Sequence, residues 1–299
     1  MTRYFHGAQR KGPYFEGWYL KFQTRDGKAL ALIPAVHTDK NANASASLQV
    51  ITQARSWWLE YPMDRFHAEP DRFWISMGKS VFAQSRVCLN VNQKGLCLQG
   101  TILCGPFTSL PRDIMGPFRH LPAMECSHGV ISMAHTLVGS VQCNGEVLDF
   151  TGGLGYTETD RGRSFPSAYL WTQCTWHNNR HNSLMLSIAT IPMAVGRFTG
   201  CICALYHNGR HYRLATYLGA RVVEWWEQGA LIRQGRYRLS ARLLDGQGHP
   251  LKAPVSGTMS RTIHEHLCST VHYQFWEGNQ LIFEHTDPCA SFEYAKEQP

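Results

Sequence analysis

Runs of alternating apolar and polar residues, parted by turn dipeptides, recur along the whole chain. Alternation with period two predicts strands, because successive side chains of a strand point to opposite faces. The first such run covers residues 14–24. Tyr14, Glu16, Trp18, Leu20 and Phe22 share one face there, so a carboxylate sits among apolar neighbours and needs a partner inside that face. Residues 29–36 read as the return strand, which Pro34 bends or keeps at an edge. Asp26-Gly27, Asn144-Gly145, Asn208-Gly209 and Asp245-Gly246 are favoured hairpin dipeptides, with Lys94-Gly95 and Gly278-Asn279 as weaker versions. Residues 79–86 read instead as one short helical turn. Hairpins from end to end predict an antiparallel all-β protein.

Two stretches break the rhythm. Residues 105–125 are irregular and proline-rich, with Met115 and Phe118 among the prolines, the character of a segment that covers a barrel mouth or joins domains. Gly152-Gly153 interrupts the chain a little later, which places a domain division near Phe150, with residues 1–150 and 151–299 as the two domains. In residues 235–244, Arg236, Arg238, Ser240 and Arg242 alternate with Tyr237, Leu239, Ala241 and Leu243, a half-buried strand with a solvated basic face.

Composition narrows the function classes. At 299 residues the chain has ample length for a core. Its net charge of +7 is dispersed, with no basic stripe, so no nucleic-acid partner is expected. No apolar run approaches the ~20 residues of a membrane span, and the first residues lack a signal-peptide core, so a cytoplasmic protein without a transmembrane segment is expected. The ten cysteines form no Cys-x-x-Cys pair and read as small buried hydrophobes.

The stretch richest in chemistry is residues 155–174. It opens with Glu158, Asp160, Arg161 and Arg163, turns a Ser164-Phe165-Pro166 corner, and continues as an aromatic strand. On that strand Tyr169, Trp171 and Gln173 share one face and Leu170, Thr172 and Cys174 the other. Two rings and an amide on one face suit a cavity wall; they are equally compatible with an amphipathic strand whose Gln173 bonds only backbone. His264, His266, Cys268 and His272 also share a parity, but side chains two apart on a strand lie about 7 Å from each other and a third ligand is missing, so no metal and no cofactor is expected. Cys126 and His128 lie on one face without an oxyanion turn, a weak case for a thiol nucleophile.

The first strand and this stretch together resemble the tocopherol cyclase family. Residues 14–22, YFEGWYLKF, look like that family's Phe-Glu-Gly-Trp-Tyr-x-Lys strand. Residues 155–174 look like its Tyr-x-Glu, Gly, Ser-Phe-Pro, Trp-x-Gln-Cys series, and DIMGPF with MECSHGVISMAH resembles its bacterial branch. Plant-type members read Glu-Lys-Asn-Trp-Gly where this chain has Glu158-Thr159-Asp160-Arg161-Gly162; the carboxylate and the glycine match, the three residues between do not. The resemblance implies two tandem lipocalin-like antiparallel β-barrels and kinship with carotenoid hydratases and lipocalin-like Diels–Alderases. It also implies an apolar, often prenylated, ligand.

The reaction so implied protonates a trisubstituted alkene and lets a phenol oxygen attack the tertiary cation. It needs a carboxyl kept protonated in a dry site, aromatic faces to steady the cation, and a chain folded over the ring. The expected donor is Asp160 or Glu158. Trp18, Tyr169 and Trp171 are the expected lining, Gln173 orients the phenol, and Arg163 and Glu16 support from behind. Three alternatives stay open: an inter-domain ion-pair network of Glu158, Asp160, Arg161 and Arg163, a carrier that holds an apolar lipid without chemistry, and an enzyme that hydrates or isomerises an isoprenoid, with water in place of the phenol.

Overall fold

A computed structural model of the chain describes residues 4–121, 124–178, 180–192 and 196–296. The first twelve strands are β1 (Tyr14–Gln23), β2 (Ala29–Thr38), β3 (Ala44–Thr52), β4 (Ser56–Tyr61), β5 (Phe66–Ala68), β6 (Trp74–Met77), β7 (Ser80–Ala83), β8 (Arg86–Gln93), β9 (Leu96–Cys104), β10 (Cys126–Cys143), β11 (Glu146–Asp149) and β12 (Leu154–Gly162). They form one antiparallel sheet in the order β4-β3-β2-β1-β12-β10-β9-β8-β7-β6-β5, with β11 on β10. The remaining ten are β13 (Tyr169–Asn178), β14 (Arg180–Pro192), β15 (Arg197–His207), β16 (Arg210–Ala215), β17 (Arg221–Trp226), β18 (Gly229–Gln234), β19 (Tyr237–Asp245), β20 (His249–Val255), β21 (Thr258–Glu277) and β22 (Gln280–Ala295). Their sheet runs β16-β15-β14-β13-β22-β21-β19-β18-β17, with β20 on β21. β12 lies beyond Phe150 in the chain yet pairs with β1 and β10, so the passage from one sheet to the other falls between Gly162 and Tyr169.

The all-β antiparallel expectation holds. Closure into barrels does not follow from the pairing: among the described residues, β4 is not paired with β5, nor β16 with β17. The residual helical content is a few short 3-10 turns, and no helix among the described residues is long and apolar enough to cross a membrane.

Turn chemistry sets the hairpins. Lys94-Gly95, Asn144-Gly145 and Asn208-Gly209 each have φ above zero at both positions, the mirror-image turn whose twist matches the strands. Ser256-Gly257 does the same between β20 and β21, although Ser-Gly is not among the dipeptides that mark a hairpin in the sequence. Asp245-Gly246 does not make the expected hairpin: β19 and β20 both pair with β21 instead of with each other. The expected helical turn at 79–86 is strand β7 and its turn into β8, because Val81 and Phe82 pair with Cys88 and Val87.

Alternation then builds three apolar layers. Trp18, Leu20 and Phe22 of β1 pack into the core of the first sheet with Leu32, Leu48 and Phe82. Leu170 and Cys174 of β13 pack into the core of the second with Leu186, Tyr273 and Phe292. The opposite faces of the same strands, Tyr19 on β1 with Tyr169 and Trp171 on β13, meet in a third cluster between the sheets. Each fully buried large side chain contributes about 1.5–3 kcal/mol. Eight cysteines are free thiols, in line with the sequence reading; Cys268 and Cys289, on adjacent strands β21 and β22, are paired as a disulfide, against it.

Candidate functional site

A cleft of about 1260 Å³, mouth included, opens between the two sheets. β1, β10 and β12 wall it from one side, and β13, β14, β15 and β22 from the other. The irregular segment at 105–125 supplies Met115 and Phe118 to its lining, as a covering segment would. Tyr217 holds that segment to the second sheet: its hydroxyl donates to the Ile114 carbonyl at 2.7 Å, and its ring meets Phe118 edge-on. The crossing between the sheets closes another edge. Phe165 packs edge-on against Phe15 and Tyr169 at 5.4 and 5.9 Å, and its backbone N–H donates to the Pro254 carbonyl.

Most of the lining is apolar, so its few polar groups stand out. Glu158 and Asp160 are two apart on β12 and therefore share a face. His128 on β10 is the cross-strand partner of Asp160, and its ring lies between the two carboxyls. Its Nδ1 is 3.0 Å from Asp160 Oδ1 and its Nε2 is 3.2 Å from Glu158 Oε2, the latter an ion-pair contact outside hydrogen-bond alignment. The Tyr156 hydroxyl donates to Glu158 Oε2 at 2.5 Å, and the Cys126 thiol donates to Asp160 Oδ1 at 3.4 Å. Burial works to strip His128 of its charge, but the two flanking carboxylates outweigh it and hold the imidazole pKa well above its usual value. Burial also raises the Glu158 carboxyl, a rise that His128 opposes. The trio is therefore a shared-proton cluster, with one ring bridging two acids.

The same three residues are a group that could hold a metal ion, with donor atoms within 4.8 Å of one another. Both ring nitrogens, however, already face a carboxylate, so His128 offers an ion no unshared lone pair in this arrangement.

A second polar group comes from β22 and β21. Glu293 lines the cleft and accepts from the Tyr169 hydroxyl at 2.8 Å. Deeper in, the Tyr19 hydroxyl donates to Glu265 Oε1 at 2.5 Å and lies 2.9 Å from Ser291 Oγ. Lys21 donates to the Cys289 carbonyl at 2.6 Å. Burial pulls Lys21 down to about 8 and pushes Glu265 up to about 7.

The sequence-predicted residues divide accordingly. Glu158, Asp160, Tyr169 and Trp171 all line the cleft. Trp18 lies on the other face of β1, in the first sheet's own core, where its indole Nε1 donates to the Tyr4 carbonyl at 3.3 Å. Glu16 is on that face too, held by the His6 ring and backbone N–H and by the Tyr14 hydroxyl, each at 2.8 Å. Gln173 is buried outside the lining, donating to Thr175 Oγ1 at 2.6 Å. The Arg163 side chain is exposed; its carbonyl accepts from the Gly257 N–H. Sequence reasoning missed His128, Tyr19 and Glu293. The parity of Cys126 and His128 was visible, but nothing local announced that Asp160 would lie opposite.

The model of the family described as tocopherol cyclase-like matches residues 104–295. No curated protein sequence matches the chain significantly. Among solved structures, CghA crystallised with Sch210972 superposes with a TM-score of 0.60 at 10% identity, covering 96% of this chain and 90% of that one. A protein described as AttH from Nitrosomonas europaea gives 0.56 at 12% identity, covering 95% and 93%. Kievitone hydratase from Nectria haematococca gives 0.52 at 10% identity, covering 95% and 90%. At these identities the structures share the fold, while the family model spans well over half of the sequence: the chain belongs to the tocopherol cyclase-like family.

Proposed function

We propose that the protein binds a prenylated phenol or quinol between its two sheets and closes a ring on it by acid catalysis. The observation that carries this reading is the Glu158–His128–Asp160 cluster, a proton-exchanging group set in a mostly apolar cleft. Burial in the cleft walls raises the Glu158 and Glu293 carboxyls, the direction an alkene-protonating acid needs. The aromatic faces of Tyr169 and Trp171 are available to a tertiary cation. A cleft of about 1260 Å³, mouth included, gives a flexible chain room to fold back over its own ring, which supplies effective molarity.

Each curled sheet serves in this reading as a lipocalin-like barrel, a geometry supported by β17 lying back against β15. Gln173 and Arg163 act at most from behind the lining, and Trp18 and Glu16 support β1. Holding an apolar lipid unchanged is the rival reading, favoured by the same apolar lining.

The test is incubation of purified protein with a geranylgeranylated methylhydroquinone, followed by mass and chromatographic analysis. Ring closure leaves the mass unchanged and moves the retention time, and hydration adds one water. Probe recovered bound and unaltered means a carrier. Asp160→Asn and Glu158→Gln are each expected to slow ring closure by roughly 100-fold or more. Full turnover in both variants would remove the cluster from the mechanism.

A further inference from the structure

The first sheet's cluster handles protons, but ring closure moves two of them: one onto the alkene and one off the phenol. The second sheet brings its own acid to the same cleft. We propose that Glu293, held by the Tyr169 hydroxyl, delivers the proton to the ligand's carbon–carbon double bond, while the Glu158–His128–Asp160 cluster receives the proton of the ligand's hydroxyl. The proposal rests on the acid-catalysed reading above and assigns separate roles to the two walls.

The surroundings of Glu293 support the assignment. Glu293 lines the cleft and is only 7% exposed. Tyr169 donates to Oε2, which leaves Oε1 as the oxygen to carry a proton; among the described residues no hydrogen bond engages Oε1 and no cation pairs with Glu293. On the adjacent strand, Glu265 is the direct cross-strand partner of Glu293. Two carboxyls so placed do not both ionise readily. The ammonium of Lys21, which is not among the lining residues, acts on Glu265 and favours its ionisation. Arg261, whose positive charge acts on Tyr169, already donates to the Pro166 and Ser167 carbonyls. Burial, reinforced by the charge of Glu265, accordingly holds the Glu293 carboxyl well above the usual range.

The other wall differs in kind. There His128 provides positive charge between two acids, so the cluster keeps an ionised carboxylate able to accept a proton. Environments that push titratable groups apart in this way separate acid from base.

The step balances without a further reactant. The Glu293 proton bonds to the less substituted alkene carbon as the π bond breaks, leaving a tertiary cation beside Trp171 and Tyr169. The phenol oxygen attacks the cation and forms the C–O bond. Its proton passes to Asp160. Solvent at the cleft mouth then returns one proton to Glu293 and takes one from the cluster, so the product is an isomer of the ligand.

Infrared difference spectroscopy of the whole protein, wild type minus Glu293→Gln at pH 7, reads the proton directly. A protonated-carboxyl band that shifts in D2O is expected, and its absence overturns the proposal. The geranylgeranylated methylhydroquinone probe in D2O reads the delivery. Wild type is expected to place one deuterium on the former alkene carbon. Glu293→Gln is expected to lower kcat by ~100-fold or more with probe Kd within about twofold. Glu293→Asp, which keeps a carboxyl, is expected to retain the band and part of the rate, and so guards against a folding defect. Turnover that survives Glu293→Gln within threefold overturns the Glu293 assignment alone. Wild-type protein that binds the probe and returns it unchanged overturns the ring-closure reading, and the delivery step with it.

Discussion

Glu265 shows how a single buried group ties the site to stability. Its carboxyl is fully buried and its Oε2 lacks a partner, so burial lifts its pKa from 4.5 to about 7. Between those values the folded chain keeps a proton that the unfolded chain has lost. The stability this contributes is therefore complete below about pH 4.5 and is lost as pH rises through 7. Urea midpoints of wild type and Glu265→Gln at pH 5 and pH 8 test this. The variant is expected to lose less stability across the interval, by about 1.4 kcal/mol for every tenfold difference in proton affinity between the folded and unfolded chains. Equal pH dependence in both proteins would contradict it. Residue-level reading of the sequence finds half of this chemistry. Period two correctly groups Tyr169 with Trp171, and Glu16 with Trp18, because parity is a local property. It does not say which face of β1 meets the cleft, and the resemblance that nominated Trp18 does not say so either; Tyr19 lies there. Nor does it foresee His128 against Asp160 or Glu293 against Tyr169, because those meetings depend on pairing across 32 and 124 positions.

The hairpin between β20 and β21 is an element with a job outside its own sheet. Its Gly257 sits at φ +74°, and a Cβ there would come 2.0 Å from the Thr38 carbonyl oxygen and 2.6 Å from the Tyr14 nitrogen. The turn thus presses backbone against backbone of β1 and β2, while the Gly257 N–H donates to the Arg163 carbonyl and the Ser256 N–H to Ser164 Oγ. Gly257→Ala meets both the positive φ and the lack of space, and is expected to cost about 1–3 kcal/mol. A thermal midpoint within one degree of wild type would show that the contact is slack. The Asn-Gly hairpins were legible because their dipeptides force the turn on their own. Ser256-Gly257 was not, since serine has no such preference and the surrounding contacts impose the conformation.

At the scale of the molecule, each sheet owns an apolar core and the two share a third. The shared layer contains Lys21 and Glu265, groups that are costly to bury and tolerable only with their partners from the opposite sheet, Cys289 and Tyr19, in place. Opening the interface would leave them half-solvated against exposed apolar surface. Calorimetry is therefore expected to give one unfolding transition; two resolved transitions would mean that the sheets fold independently. Among the described strands the chain passes from one sheet to the other once, through residues 163–168, and every other connection joins strands of the same sheet. The contacts of that crossing are non-covalent and can re-form after a break in the chain, which makes it a place to cut. Two polypeptides ending and beginning in that segment, made together in one cell, should find each other and rebuild the cleft. Neither alone should bind the probe. Because the ligand touches both pieces, it would act as their glue, and the fragments should come apart more slowly when it is present.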